Sequence, residues 1–169
     1  MVRIFQQTAI CQKGIPMSRE NRTFRYLSEF NVGDTFTTAA KTVTETDVVL
    51  FAGITWDLNP IHTDQTYAEK LPFKGRIAHG LLGSSIACGL WGKMGLVDGS
   101  AIAALSTEWK FVGAIKIGDT IHCEIEVLSC DRSKSKPERG ILNIGYKILN
   151  QDGNLCQTGS MATMLKWEE

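Results

Sequence analysis

The stretch Leu81-Leu82-Gly83-Ser84-Ser85-Ile86-Ala87-Cys88-Gly89-Leu90-Trp91-Gly92-Lys93-Met94 decides the architecture of this 169-residue chain. Its apolar residues, Leu81, Leu82, Ile86, Ala87, Leu90, Trp91 and Met94, fall on nearly every side of a helix with 3.6 residues per turn. The spacing therefore predicts one helix buried over most of its surface. Gly83 and Gly89 each cost roughly 1 kcal/mol relative to alanine inside a helix, which predicts close approach by a strand or ligand at both. Such a helix needs an apolar wall around it.

Beyond the helix, that wall is written as strands. Leu105, Thr107, Trp109 and Phe111 alternate with Ser106, Glu108 and Lys110, and Ile121, Cys123, Ile125 and Val127 alternate with His122, Glu124 and Glu126. Both runs predict half-buried antiparallel strands. Leu142, Ile144, Tyr146 and Ile148 continue the pattern, and Asp152-Gly153 signals a hairpin. Cys156 to Trp167 has apolar residues on both faces, which places the last strand centrally or at a subunit interface.

Ahead of the helix, Phe30-Asn31-Val32-Gly33-Asp34-Thr35 supplies a turn before a β-compatible stretch from Phe36 to Val43. Thr44-Glu45-Thr46-Asp47 offers capping oxygens to a short helix with Val48, Phe51 and Ala52 on one face. That helix must end by Asn59-Pro60. Residues 63 to 80 read as a long loop with one helical turn around Tyr67-Ala68-Glu69-Lys70, and a loop this long in a compact domain is usually either functional or a misassigned element. The order strand, short helix, long loop, buried helix and four strands fits an α+β domain in which one antiparallel sheet wraps a single helix.

Length allows one domain, read as residues 25–169 behind an N-terminal extension at 1–24. The extension carries Arg3, Lys13, Arg19 and Arg22 against Glu20, without a hydrophobic signal core. Eighteen basic and eighteen acidic residues leave no net field that would draw the chain to nucleic acid or an anionic membrane. No apolar run is long enough for a spanning helix. The five cysteines, Cys11, Cys88, Cys123, Cys130 and Cys156, are odd in number and contain no Cys-x-x-Cys pair. They read as free thiols in a reducing compartment, the cytoplasm or an organelle matrix.

The chemistry-bearing segment is Trp56-Asp57-Leu58-Asn59-Pro60-Ile61-His62. Five positions on a continuous helix would separate Asp57 and His62 by about 140°, but Asn59-Pro60 breaks the helix, and a compact turn can aim a carboxylate and an imidazole at one water molecule. Between them they can share general-base and general-acid duties near neutral pH. Taken alone, Asp-x-Asn-Pro is an ordinary turn in which Asp and Asn accept backbone hydrogen bonds. The wider constellation adds His79-Gly80 at the start of the buried helix, where free N–H groups and the positive dipole end suit a developing oxyanion. His79 either lines the pocket or satisfies a backbone group there. His122 lies on a polar strand face, and three separated histidines without metal-ligand spacing argue against a zinc site.

Phe51-Ala52-Gly53-Ile54-Thr55-Trp56-Asp57-Leu58-Asn59-Pro60-Ile61-His62, with Ile77-Ala78-His79-Gly80-Leu81-Leu82, resembles the hydratase-2 motif of the MaoC-like, R-specific enoyl-CoA hydratase family. The resemblance implies a hot-dog fold, in which a curved sheet wraps a long helix, and a homodimer or higher homo-oligomer. It implies Asp57 and His62 as the catalytic pair, with the Gly80 N–H as donor to the thioester oxygen and Asn59 and His79 beside them. The implied reaction, in fatty acid metabolism, is hydration of a trans-2-enoyl-CoA or enoyl carrier-protein thioester to the (R)-3-hydroxyacyl product, or the reverse dehydration. Coenzyme A enters as part of the substrate, with no separate cofactor and no metal. Arg132, Lys134, Lys136 and Arg139 could touch a coenzyme A phosphate, but read first as a solvated turn. Two positions depart from the family pattern. Trp56 stands where a small or acidic residue is usual and should reshape the acyl entrance, and Cys88 stands where a hydrogen-bonding serine is common. A thioesterase on the same fold and a non-catalytic acyl-CoA-binding subunit are the competing readings.

Overall fold

The computed structural model describes residues 22–168. The expected N-terminal extension therefore lies outside the described residues, apart from its last three. Of those, Arg22 pairs with Glu29 at 2.7 Å, and Phe24 meets Tyr26 edge-on at 5.4 Å.

A 3-10 turn at Leu27–Glu29 leads into two short strands, β1 (Thr35–Thr37) and β2 (Lys41–Thr42), where the sequence predicted a single longer one. Both pair antiparallel with the long strand β4 (Thr120–Arg132), β2 at its start and β1 at its middle. Helix α1 (Glu45–Thr55) starts where the Thr44 hydroxyl accepts from the Asp47 N–H while the Asp47 carboxylate accepts from the Thr44 N–H, a reciprocal cap. Short turns α2 (Pro60–Thr63) and α3 (Gln65–Ala68) follow, and then the long helix α4 (Gly80–Lys93). Strands β3 (Ala101–Phe111), β4, β5 (Arg139–Leu149) and β6 (Leu155–Lys166) complete the chain. All ladders are antiparallel, in the order β1, β4, β5, β6, β3, with β2 alongside β4.

The core is the seam between α4 and the inner face of β4, β5 and β6. Ile121, Cys123, Ile125 and Val127 of β4 and Leu142, Ile144, Tyr146 and Ile148 of β5 point the same way, as their period-two spacing predicted, and meet Leu82, Ala87, Leu90 and Trp91. The Trp91 indole closes one end against Phe36, with ring centroids 5.6 Å apart. Each fully buried Leu or Ile contributes about 1.5–3 kcal/mol, so this seam is what holds the helix in the sheet. The last strand, β6, runs between β5 and β3.

Two expectations are corrected, at Gly89 and along β3. Helix α4 is buried or half-buried over most of its surface, as its spacing predicted, with one open stripe at Leu81, Ser85 and Gly89, at i, i+4 and i+8. A Cβ at Gly83 would meet Gln157 and Ile115 within 3 Å, but one at Gly89 would meet nothing within 4 Å, so close approach explains the first glycine and not the second. Strand β3 is not half-buried. Among the described residues it pairs with β6 alone and no helix covers it, so it is exposed along almost its entire length. Among the described residues, no helix is long and apolar enough to cross a membrane.

Candidate active site

Three separate segments meet at the N-terminal end of α4. Helix α1 ends at Trp56, whose φ of 61° turns the chain sharply into Asp57. The Asn59 side chain then accepts from the Ile61 N–H at 3.1 Å and Pro60 occupies the first helical position, so α2 begins at once and carries His62. Asn59 thus acts as a helix cap. The intervening loop returns through Ala78, whose N–H bonds to the Ile115 carbonyl at 2.8 Å, and delivers His79 and Gly80 to the start of α4.

The two histidines tie these segments together. His62 Nδ1 lies 2.8 Å from the Ile77 carbonyl oxygen. A carbonyl can only accept, so Nδ1 carries the proton and Nε2 of the neutral ring keeps its lone pair. His79 Nε2 donates in the same way to the backbone carbonyl of Asp57 at 2.9 Å. The rings stack, with centroids 3.8 Å apart and an interplanar angle of 28°. Burial pushes the His62 pKa below its ordinary 6.5, and the neighbouring His79 pushes it the same way, against the Ile77 hydrogen bond and the Asp57 charge. At neutral pH, His62 is accordingly a neutral acceptor.

Donor atoms of Asp57, His62 and His79 lie within 4.8 Å of one another. The fold has gathered histidines that sequence spacing kept apart, so spacing alone does not decide for or against a metal. Within the group, His79 Nε2 donates to the Asp57 carbonyl and its Nδ1 is buried without a hydrogen-bond partner.

A cavity of about 590 Å³ opens over this group. Asp57, His62, His79, Gly80, Thr55 and Gln157 supply its polar atoms, and Phe51, Phe73, Ile77, Leu81, Phe111 and Val112 its apolar walls. Gly80 is the first residue of α4, so its N–H has no acceptor within the helix and sits at the positive end of the dipole. A carboxylate, an imidazole acceptor and a free N–H around an apolar hollow can hold a water against an unsaturated acyl group and stabilise charge on its carbonyl oxygen.

Of the residues singled out from sequence, Asp57, His62, His79 and Gly80 line the cavity, while Asn59, Trp56 and Cys88 do not. Trp56 is 84% exposed and does not line the cavity of the single chain, where the sequence reading expected it to reshape an acyl entrance. Cys88 is half-buried on α4, with its thiol pKa raised by burial. Sequence reasoning missed Phe111 and Gln157, which face each other across β3 and β6 and both reach Gly80. For Gln157 no local signal was available, since its partner Gly80 lies 77 residues away.

A curved antiparallel sheet around one helix, with a carboxylate and an imidazole at the helix start, defines a hot-dog protein. The same fold shows in a Mycobacterium tuberculosis protein described as a double hotdog fold, with a TM-score of 0.75 at 18% identity over 87% of this chain and 47% of that one. The chain belongs to the family described as MaoC like domain, which matches residues 28–145. It is 32% identical to the (R)-specific enoyl-CoA hydratase of Rhodospirillum rubrum over 66% of this chain and 75% of that protein. The crystal structure of a MaoC-like dehydratase from the same organism superposes with a TM-score of 0.77 at 28% identity, over 86% of this chain and 99% of that one.

Proposed function

We propose that this protein is a hydro-lyase that interconverts trans-2-enoyl thioesters and (R)-3-hydroxyacyl thioesters. The observation that carries the reading is the convergence of the Asp57 carboxylate, the free Nε2 of His62 and the Gly80 N–H on one apolar cavity. In the hydration direction the Asp57 and His62 pair holds a water. Its oxygen bonds to C3 as one proton passes to the dyad, the C2–C3 π electrons move toward the thioester carbonyl, and a proton is returned to C2 on the same face. Gly80 donates to the carbonyl oxygen as it gains charge, an interaction of a kind worth about 3 kcal/mol per donor. These groups supply every proton and charge the reaction needs, so the reading includes no metal or separate cofactor. Coenzyme A or a carrier protein arrives with the acyl group.

The assembly in this reading is a homodimer built on β3. That strand offers an unpaired edge with Ile102 and Leu105 exposed along it, and Phe111 and Val112 exposed at its end beside the cavity, a surface that folded proteins cover. The four described cysteines are free thiols, in keeping with a reducing compartment such as the cytoplasm.

The test is loss of the conjugated enoyl absorbance when the purified protein meets crotonyl-CoA and longer or branched enoyl-CoA esters. Asp57→Asn and His62→Gln should each abolish that loss while leaving the fold intact by circular dichroism. Full activity in both variants, or release of free thiol from a saturated acyl-CoA in place of hydration, would overturn the assignment.

A further inference from the structure

Gln157 is 2% exposed, yet it carries a polar amide into the core. Burying an unpaired amide is costly, so where its hydrogen bonds go says what it does. Nε2 lies 3.0 Å from the Gly80 carbonyl oxygen, and because that oxygen can only accept, the amide orientation is fixed with nitrogen toward Gly80. Oε1 lies 3.2 Å from the hydroxyl of Ser84, itself buried one turn further along α4. Both polar ends of Gln157 are therefore committed to the first turn of that helix.

The surroundings are cut to admit this amide. A Cβ at Gly83 would sit 2.5 Å from Gln157 Nε2 and 2.7 Å from Ile115 Cδ1, so a side chain there would displace the amide. Phe111, directly opposite Gln157 in the β3–β6 ladder, presses on Gly80 from its own side. A Cβ on Gly80 would meet two of its ring carbons at 2.8 Å. The two cross-strand partners thus grip one glycine, Phe111 at its Cα and Gln157 at its carbonyl. Glycine is the residue whose backbone turns most freely, so without the grip its N–H direction is poorly held.

We propose that Gln157 is a positioning residue that holds Gly80 so that its N–H points at the substrate's carbonyl oxygen, with Phe111 as its cross-strand counterpart. The inference rests on the hydratase reading of the site. It concerns transition-state geometry more than ground-state binding, because the N–H matters most when the oxygen carries charge, and a displacement of about 1 Å can cost on the order of a hundredfold in rate.

Gln157→Leu, Gln157→Glu and Ser84→Ala test it in the full-length protein. The leucine variant should lose about 10- to 100-fold in kcat with KM changed less than about threefold, and should bind saturated butyryl-CoA as the wild type does. The glutamate variant should be impaired at neutral pH and recover as pH falls, because only a protonated carboxyl can donate to the Gly80 carbonyl. The ionisable side chains of Asp57 and His62 share the cavity, so this recovery is read as the ratio to wild type at each pH. Ser84→Ala should move kcat the same way by less, which keeps the test open should Gln157→Leu fail to fold. In ¹⁵N spectra the Gly80 amide peak should shift in every variant and its hydrogen exchange should quicken. Values of kcat within twofold of wild type together with an unmoved Gly80 amide overturn the proposal. If the wild type hydrates no enoyl thioester, the hydratase reading itself fails, and the Gly80 amide then decides whether the grip exists.

Discussion

His79 lies flat against His62, with ring centroids 3.8 Å apart, and holds the Asp57 carbonyl with its outer nitrogen at 2.9 Å. One buried side chain thereby fixes the positions of two others that come from a different part of the chain. Replacing it separates its two contributions. His79→Phe keeps a ring for the stack and removes the donor, and it should lower kcat on the order of tenfold or more while costing little stability, since the orphaned Nδ1 also disappears. His79→Ala removes both and should also cost about 1–3 kcal/mol. Steady-state kinetics beside urea unfolding checks this, and a His79→Phe enzyme with wild-type kcat contradicts it.

Burial and His79 hold the His62 pKa below 6.5. A lowered pKa means that the proton leaves earlier as pH rises, so the acceptor form is complete at neutrality. The acid limb of kcat/KM should therefore have its midpoint below 6.5, with Asp57 and His79 as the neighbouring groups that set it. The stability sign agrees: the unfolded imidazole takes up its proton at higher pH than the folded one, so this group makes folding less favourable as pH drops below 6.5 toward its folded pKa. A midpoint at or above 6.5 would show that the cavity is wetter than the fold implies.

Two glycines of α4 should respond in opposite directions. Gly83→Ala forces a methyl against Gln157 and Ile115 and should destabilise by about 1–3 kcal/mol. Gly89→Ala meets open space and should stabilise by up to about 1 kcal/mol through helix propensity. Thermal melts of the two variants suffice, and equal shifts would mean that another surface covers Gly89.

Arg76, in the loop before α4, grips Glu45 at the start of α1 with two hydrogen bonds of 2.7 and 2.6 Å, and the contact lowers the Glu45 pKa. The pair is solvent-screened, so Arg76→Ala should cost under about 1 kcal/mol. It closes the long loop, however, and faster backbone exchange at residues 71 to 78 is the sharper readout. Unchanged exchange there would show that the loop is held by other contacts.

Much of the fold was legible because period-two and period-3.6 patterns coincide with the strands and helices that bury them. Ile121 to Val127, Leu142 to Ile148 and the cap at Thr44 all behave as their spacing predicts. Strand β3 misled for a physical reason. Alternation reports that one face is suited to burial but not whether the same chain supplies the cover, and Leu105 stays exposed. At the site, Asp57 and His62 were legible from a broken helix, and Gly80 from its place at a helix start. Trp56 was not, because sequence does not reveal a left-handed turn that throws the indole outward. Gln157 was invisible for a simpler reason: its partner Gly80 is 77 residues away, and no local pattern encodes that meeting.

The groups that would move protons and those that wall the acyl space sit on different pieces of backbone. Asp57 and His62 belong to the link from α1 into α2, whereas Phe73 comes from the return loop and Phe111 and Val112 from the end of β3. Under the proposed hydratase reading, a site divided in this way is easily retailored. Trimming or enlarging the wall residues at 73 and 112 would change which acyl chains enter while leaving the water-handling machinery untouched, so related chains can diverge in diet without reinventing their chemistry.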